Sequence, residues 1–230
     1  MTRVGGTGIS GKKPYGPTWT TGAKQAENLQ QQVQDELFGK KKPRELDTEN
    51  AQLSAQLARL RSFQKKLARL AGDDEDDYRL VLAEGTIAMI DARGKVYVGK
   101  RFLLSYADAL EVQVGVLAHE IGHRPKRWAE YRSAAPRTRE ELERLCRTEE
   151  TYADYFAGRA LAELGLQVEP LCRFLLDVVE LPHAEYFPAA LRVEVIKDGF
   201  ADGRRKHELR KKMFPELAKR VSAKHDLGNG

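Results

Sequence analysis

The chain has 230 residues and a mass of 26.0 kDa, of which 41% are apolar, 8% aromatic and 32% charged. Net charge is +5, from 39 basic and 34 acidic side chains. No run nears the ~18 consecutive apolar residues of a membrane span, no Gly-x-y repeat is present, and two cysteines, Cys146 and Cys172, are too few for a disulfide framework. Those counts exclude an integral helical membrane protein, a collagen-like fibre and a disulfide scaffold. The first residues carry no apolar segment of the secretory kind, so the expected location is cytoplasmic, although delivery by a dedicated secretion machine would leave no mark in the sequence.

Residues 1–22 are rich in Gly, Thr, Lys and Pro and read as a disordered tail. Leu29, Val33 and Leu37 predict a helix over 24–37, which Gly39–Pro43 ends. A second helix is predicted from about Leu46 to Leu70. Its Leu53, Leu57, Leu60 and Leu67 form a heptad seam, with Gln64 in the skipped position. Residues 23–77 thus read as a helical hairpin or coiled-coil arm, packed on the rest of the chain or used for self-association or a partner. The acidic run Gly72–Asp77 lacks the glycine and distal glutamate of a calcium loop and reads as a solvated linker, placing a boundary at 77.

Beyond it the periodicity shifts to two. Tyr78–Ala83, Ile87–Ile90 and Lys95–Val98 are expected as short strands, with Gly94 turning between the last two. Helices are expected over 106–124, 138–164, 168–180, 188–202 and 204–224, punctuated by Pro125, Pro136, Gly165, Pro182 and Gly203. Strands first and helices after define an α+β class, with a main domain over 78–203 and a basic C-terminal helix over 204–230.

His119-Glu120-Ile121-Gly122-His123 is the segment with chemistry in it. On a helix, residues i and i+4 share a face, so both imidazoles can reach one ion. Glu120 stands at the edge of that face, where a carboxylate can take a proton from water. A catalytic tetrahedral zinc needs a third protein ligand and an open position. Glu149, Glu150, Asp154, Cys146, His183, His207 and His225 are the candidates, and spacing favours Glu150. Asp154 lies one turn from Glu150 and is placed to accept the second N–H of a ligating histidine. Glu149 points about 100° away on the same helix.

Val114-Gly-Val-Leu-Ala-His119-Glu-Ile-Gly-His123, followed by Glu150-Thr-Tyr-Ala-Asp154, resembles the gluzincin metallopeptidases, and most nearly their family of heat-shock and CAAX prenyl proteases. Thr86–Ile90, Gly94–Val98 and Phe102–Leu104 are similar to that family's edge strand, next strand and helix start, so the resemblance spans roughly 78–202. It implies a zincin-like fold and one Zn²⁺ per chain, held by His119, His123 and Glu150. It also implies Glu120 as general base, Asp154 behind a ligand, and an edge strand that binds extended substrate by strand addition. The family's histidine-proline step is replaced by Phe187-Pro188, and the arginine that follows, Arg192, comes one residue early. Arg192, with Tyr186 or His183, is the candidate to stabilise the oxyanion.

The expected function is therefore that of a zinc-dependent endopeptidase acting on protein or peptide. A weak or latent zincin with a regulatory or binding role is the alternative, as is a protease associated with a polyanion such as DNA. Arg204–Pro215, with Lys219, Arg220 and Lys224, concentrates positive charge but has little aromatic interleaving, which fits a solvated helix face better than nucleic-acid contact. A second basic stretch, Arg124–Trp128 with Arg132, Arg137 and Arg139, is expected to border the cleft and favour acidic substrates. Both cysteines are expected in the core.

Overall fold

The computed structural model describes residues 42–47, 50–127, 138–178 and 187–213. These form a mixed α+β structure that is mostly helical, with a small four-stranded sheet. The expected tail over 1–22 and helix over 24–37 lie outside the described residues.

A two-residue strand, β1 (Arg44–Glu45), pairs antiparallel with β2 (Arg79–Glu84). The helix predicted from Leu46 begins later, as α1 (Ala51–Ala71). Asn50 sets the start: its side-chain oxygen accepts from the Gln52 and Leu53 N–H groups at 2.9 and 3.2 Å. Gly72, at φ 78°, ends it in the left-handed conformation that glycine adopts without strain.

The seam leucines of α1 are all but inaccessible. They share one apolar core with Leu80, Val96, Val114, Leu117, Leu142 and Leu161, so the surface that covers the seam is the chain itself. Gln64, in the skipped seam position, is buried and donates to the Glu75 and Tyr78 carbonyls at 3.2 and 2.7 Å. The acidic run is accordingly not just a solvated linker. Asp73 is buried, accepts from the Tyr78 hydroxyl at 2.6 Å, and takes a two-pronged bond from Arg124, with Nη2 at 2.6 Å and Nε at 3.1 Å. A buried carboxylate is tolerated here because it is paired and hydrogen-bonded.

The sheet continues with β3 (Ala88–Ile90) and β4 (Lys95–Gly99), in the order β1-β2-β4-β3. β2 and β4 run parallel, Leu80 opposite Val96, and β3 pairs antiparallel with β4, Met89 opposite Tyr97. Asp91 shapes the β3–β4 turn, accepting from the Arg93 and Lys95 N–H groups at 2.8 and 3.0 Å and from the Lys42 ammonium at 2.7 Å. Gly94, at φ 81°, completes that turn.

A short helix, α2 (Lys100–Ser105), precedes the one expected over 106–124, which forms as α3 (Leu110–Gly122). α4 (Arg139–Glu163) and α5 (Glu169–Val178) follow much as expected. The two helices predicted over 188–202 and 204–224 are one, α6 (Ala189–Met213), as far as the described residues extend. Gly203 does not break it. Gly158 on α4 and Gly199 and Gly203 on α6 each lie against the other helix's backbone: a Cβ on Gly203 would lie 2.7 Å from the Arg159 carbonyl oxygen, and one on Gly158 2.9 Å from the Phe200 nitrogen. These glycines let two long helices approach closely. α3 then packs between α1, α4 and α5, with β3 alongside. The basic start of the C-terminal segment is the end of α6, where Arg210 pairs with Glu163 and Lys206 with Asp202. No helix among the described residues is long and apolar enough to cross a membrane.

Candidate metal centre

Three elements converge. α3 supplies His119 and Glu120 from its last turn and His123 from the residue that caps it, α4 supplies Glu150 and Asp154 from its middle, and α6 supplies Arg192 from its first turn. One nitrogen of each histidine and one oxygen of Glu150 lie within 4.8 Å of one another, and this group could hold a metal ion. His119 Nε2 is 3.2 Å from Glu150 Oε2, and His123 Nε2 is 3.6 Å from Glu150 Oε1. Ligands about 2.1 Å from a tetrahedral ion stand roughly 3.4 Å apart, and the two observed separations bracket that value. The two imidazoles meet edge to face, their centroids 4.9 Å apart. Glu150 Oε2 is buried without a well-aligned hydrogen-bond donor, as suits an oxygen reserved for a cation. The donor set therefore suits a metal ion.

Behind the cluster, Asp154 Oδ1 lies 2.9 Å from His119 Nδ1, which turns Nε2 toward Glu150. Arg192 grips the same carboxylate with Nε at 2.7 Å and Nη2 at 2.9 Å. Its Nη2 is also 3.7 Å from Glu150 Oε2. Arg192 is buried. The expected oxyanion role is thus not the one its geometry displays: its fork is spent on Asp154, behind His119. Tyr186 and His183, the other oxyanion candidates, lie outside the described residues, as does His225. Glu149, Cys146 and His207 are not part of the convergent group, and Glu149 and Cys146 are buried elsewhere along α4.

The charges follow from this packing. Burial alone would lower His119, but Asp154 and Glu150 outweigh it and raise the imidazolium to about 10. Burial, helped by the His119 charge, drops His123 to about 4. Burial also lifts the Glu120 carboxyl to about 7, with Glu150 adding to the rise and the His119 charge and the Ile90 N–H opposing it. Glu150 and Asp154, though burial pushes them up, are held below the usual carboxylate range by the histidines and Arg192.

The Ile90 contact ties Glu120 to β3, which lies at the sheet edge. Toward β4, the Gly99 N–H bonds to the Ile87 carbonyl at 2.8 Å and the Asp91 N–H to the Lys95 carbonyl at 2.9 Å. In an antiparallel pair the intervening residues turn their backbone groups the other way. Ala88 and Ile90 therefore aim theirs at the free edge, beside a cavity of about 250 Å³ lined by Ala88, Val116, His119, Glu120, Leu171 and Phe174.

Sequence reasoning missed the clamp at the end of α3. Arg124 follows His123 directly, holds φ 45°, and binds Asp73, while the Tyr78 hydroxyl also reaches the Ile121 carbonyl at 3.3 Å. Arg124 was expected at the cleft with its basic neighbours. Instead Arg124 is pinned to Asp73, Lys126 to Asp77 at 3.1 Å and Arg139 to Glu143 at 2.9 Å. Trp128, Arg132 and Arg137 lie outside the described residues. A left-handed arginine has no sequence signature, which is why the clamp was not legible.

Compared with known protein families, with curated proteins and with solved structures, the chain returns no match.

Proposed function

We propose that the chain is a zinc-dependent endopeptidase of the zincin-like, gluzincin type. The observation that carries this reading is the convergence of His119, His123 and Glu150 around one point, with Glu120 beside them in the lining of a cavity and β3, the edge strand among the described residues, next to it. His119 Nε2, His123 Nε2 and a Glu150 oxygen would hold the ion. Zinc, when bound, lowers the pKa of a water toward ~7 and polarises a carbonyl.

The rest is the work of the protein. The Ala88 N–H and the Ile90 carbonyl, on the outer side of β3, would bond to an extended peptide and align its carbonyl over the cluster. Glu120, next to His119 on α3 and lining the cavity, would take the proton of the attacking water and give it to the departing amine nitrogen. Asp154 and Arg192 keep His119 turned the right way through both steps.

The test is metal content together with cleavage of quenched peptides, for the intact chain and for Glu120→Gln. One zinc per chain in both, with cleavage by the intact chain alone, is the expected result. One zinc and no cleavage in either would reduce the site to a structural or latent centre. No zinc in either would remove the foundation of the reading.

A further inference from the structure

The cavity beside Glu120 does not end at the metal cluster. Its wall continues through Leu171, Leu175 and Val178, all on the apolar side of α5. Ile87, Phe174 and Val178 then serve as shared wall with a second, wider hollow of about 940 Å³. Ile87 and Val178, large apolar side chains, stand 39% and 37% exposed at this junction. The far hollow is bordered by Leu104, 42% exposed, and by Lys100 and Arg101, which are both exposed. Neither cation has an ion pair among the described residues. The one carboxylate on that rim, Glu84, is engaged by Arg44. Backbone pairing fixes the two hollows relative to each other: Gly99, which precedes Lys100, bonds to Ile87 on the edge strand.

The groove thus has two chemistries in a set order. Near Glu120 its wall is mostly apolar, and beyond Ile87 its rim carries Lys100 and Arg101. A peptide laid along β3 and out past Ile87 passes over both in turn. Resting on the peptidase reading, we infer that this cleft selects extended peptides carrying an apolar side chain beside the cut and an acidic side chain farther out on the same side. The apolar side chain fills the inner hollow against Leu171 and Phe174, and the acidic one meets Lys100 and Arg101. An apolar side chain gains by leaving water for such a wall, and two exposed cations at a partly apolar rim reward a carboxylate and repel a lysine.

Fluorescein-labelled decapeptides with one leucine and one glutamate at varied spacing, and matched sets with lysine for glutamate or glycine for leucine, test this by anisotropy. They are titrated into the zinc-loaded full chain carrying Glu120→Gln, which binds without turnover. The Leu/Glu set should bind at least tenfold more tightly than the Leu/Lys set. The double substitution K100E/R101E, at exposed positions away from the metal cluster, should reverse that order with zinc content unchanged. Val178→Trp, at the partly exposed junction, should weaken the leucine peptides at least fivefold and leave the glycine peptides within twofold. Equal binding of all sets, no binding of any, or indifference to the charge reversal would overturn the inference. Cleavage by the unsubstituted chain is scored separately. Selective binding without cleavage would sink the peptidase reading and keep the selectivity, and cleavage without selectivity would do the reverse.

Discussion

Gly158→Ala should destabilise the chain, although alanine is the better helix former by about 1 kcal/mol. A Cβ at Gly158 would meet the Ile196 carbonyl oxygen well inside 3.0 Å, the approach that real Cβ atoms essentially never make, and would lie 2.8 Å from the Ile196 carbonyl carbon. Both obstacles are backbone, so no rotamer change relieves them. α4 and α6 must part by on the order of 1 Å, a gap that forfeits a quarter to a half of each dispersion contact along the interface. Overpacking of this kind costs about 3 kcal/mol, and the propensity gain offsets about 1 of it. The net loss of about 2 kcal/mol lowers the melting temperature by roughly 4–8 °C in a chain of this length. Asp154 precedes Gly158 by one turn on α4, and Arg192 precedes Ile196 by one turn on α6. Parting the helices therefore also pulls Arg192 off Asp154, and zinc affinity should fall with stability. Differential scanning calorimetry and a zinc competition titration on the two proteins measure both effects. A variant that melts at or above the wild-type temperature would refute the close-approach argument.

Asp154→Asn keeps the size of the side chain and removes the charge that His119 and Arg192 share. Zinc affinity should fall 10- to 100-fold, and a dissociation constant within threefold of wild type would show that Asp154 does not orient the ligand. Removing the metal with a chelator should lower the melting temperature, since an ion present at a thousand times its dissociation constant contributes about 4 kcal/mol. An unchanged melting curve would mean that the cluster holds no ion. Asp91→Ala should cost about 1–3 kcal/mol at neutral pH, because the Lys42 ammonium and two N–H groups lose their acceptor. Burial pushes the Asp91 carboxyl up, but those same partners outweigh it and hold it below the ordinary carboxylate value. A depressed carboxylate stabilises the fold above its unfolded pKa of about 3.9 and loses that contribution as pH falls through the folded value. The gap between wild type and Asp91→Ala in urea melts should accordingly narrow below about pH 4, and a constant gap would contradict the pairing.

The elements were legible where one segment carried its own signal. The alternation of 78–83 and 95–98 and the leucine seam of 53–67 each point to an element without help from the rest of the chain. What a stripe does not say is what covers it. The α1 seam reads equally as a coiled-coil arm, and only the assembled core shows that the chain covers it itself. Local chemistry also misleads when tertiary contacts override it. An acidic run looks solvated until one of its members, Asp73, finds Arg124, 51 residues away. Gly203 looks like a helix end because glycine weakens a helix, yet here glycine is what lets a second helix come close. The Asn50 cap was readable in principle, and it would have moved the start of α1 from Leu46 to Ala51.

The candidate metal group His119, His123 and Glu150 was legible for the same reason as the helices. His119 and His123 share a face by helical geometry alone, and Glu150 and Asp154 share another. The meeting of those two faces required the structure, and so did the place of Arg192. The spacing put Arg192 in the site but not in its role. Its role depends on how near α6 lies to α4, and that distance is set by Gly158, Gly199 and Gly203, none of which belongs to the metal motif. From those glycines the dependence runs through Arg192 to Asp154, and from Asp154 to the ring of His119. A substitution far from any ligand can therefore turn a ligand. If Gly158→Ala weakens zinc binding while Glu150 and both histidines are untouched, the motif specifies only which atoms bind, and helix packing specifies whether they face one another.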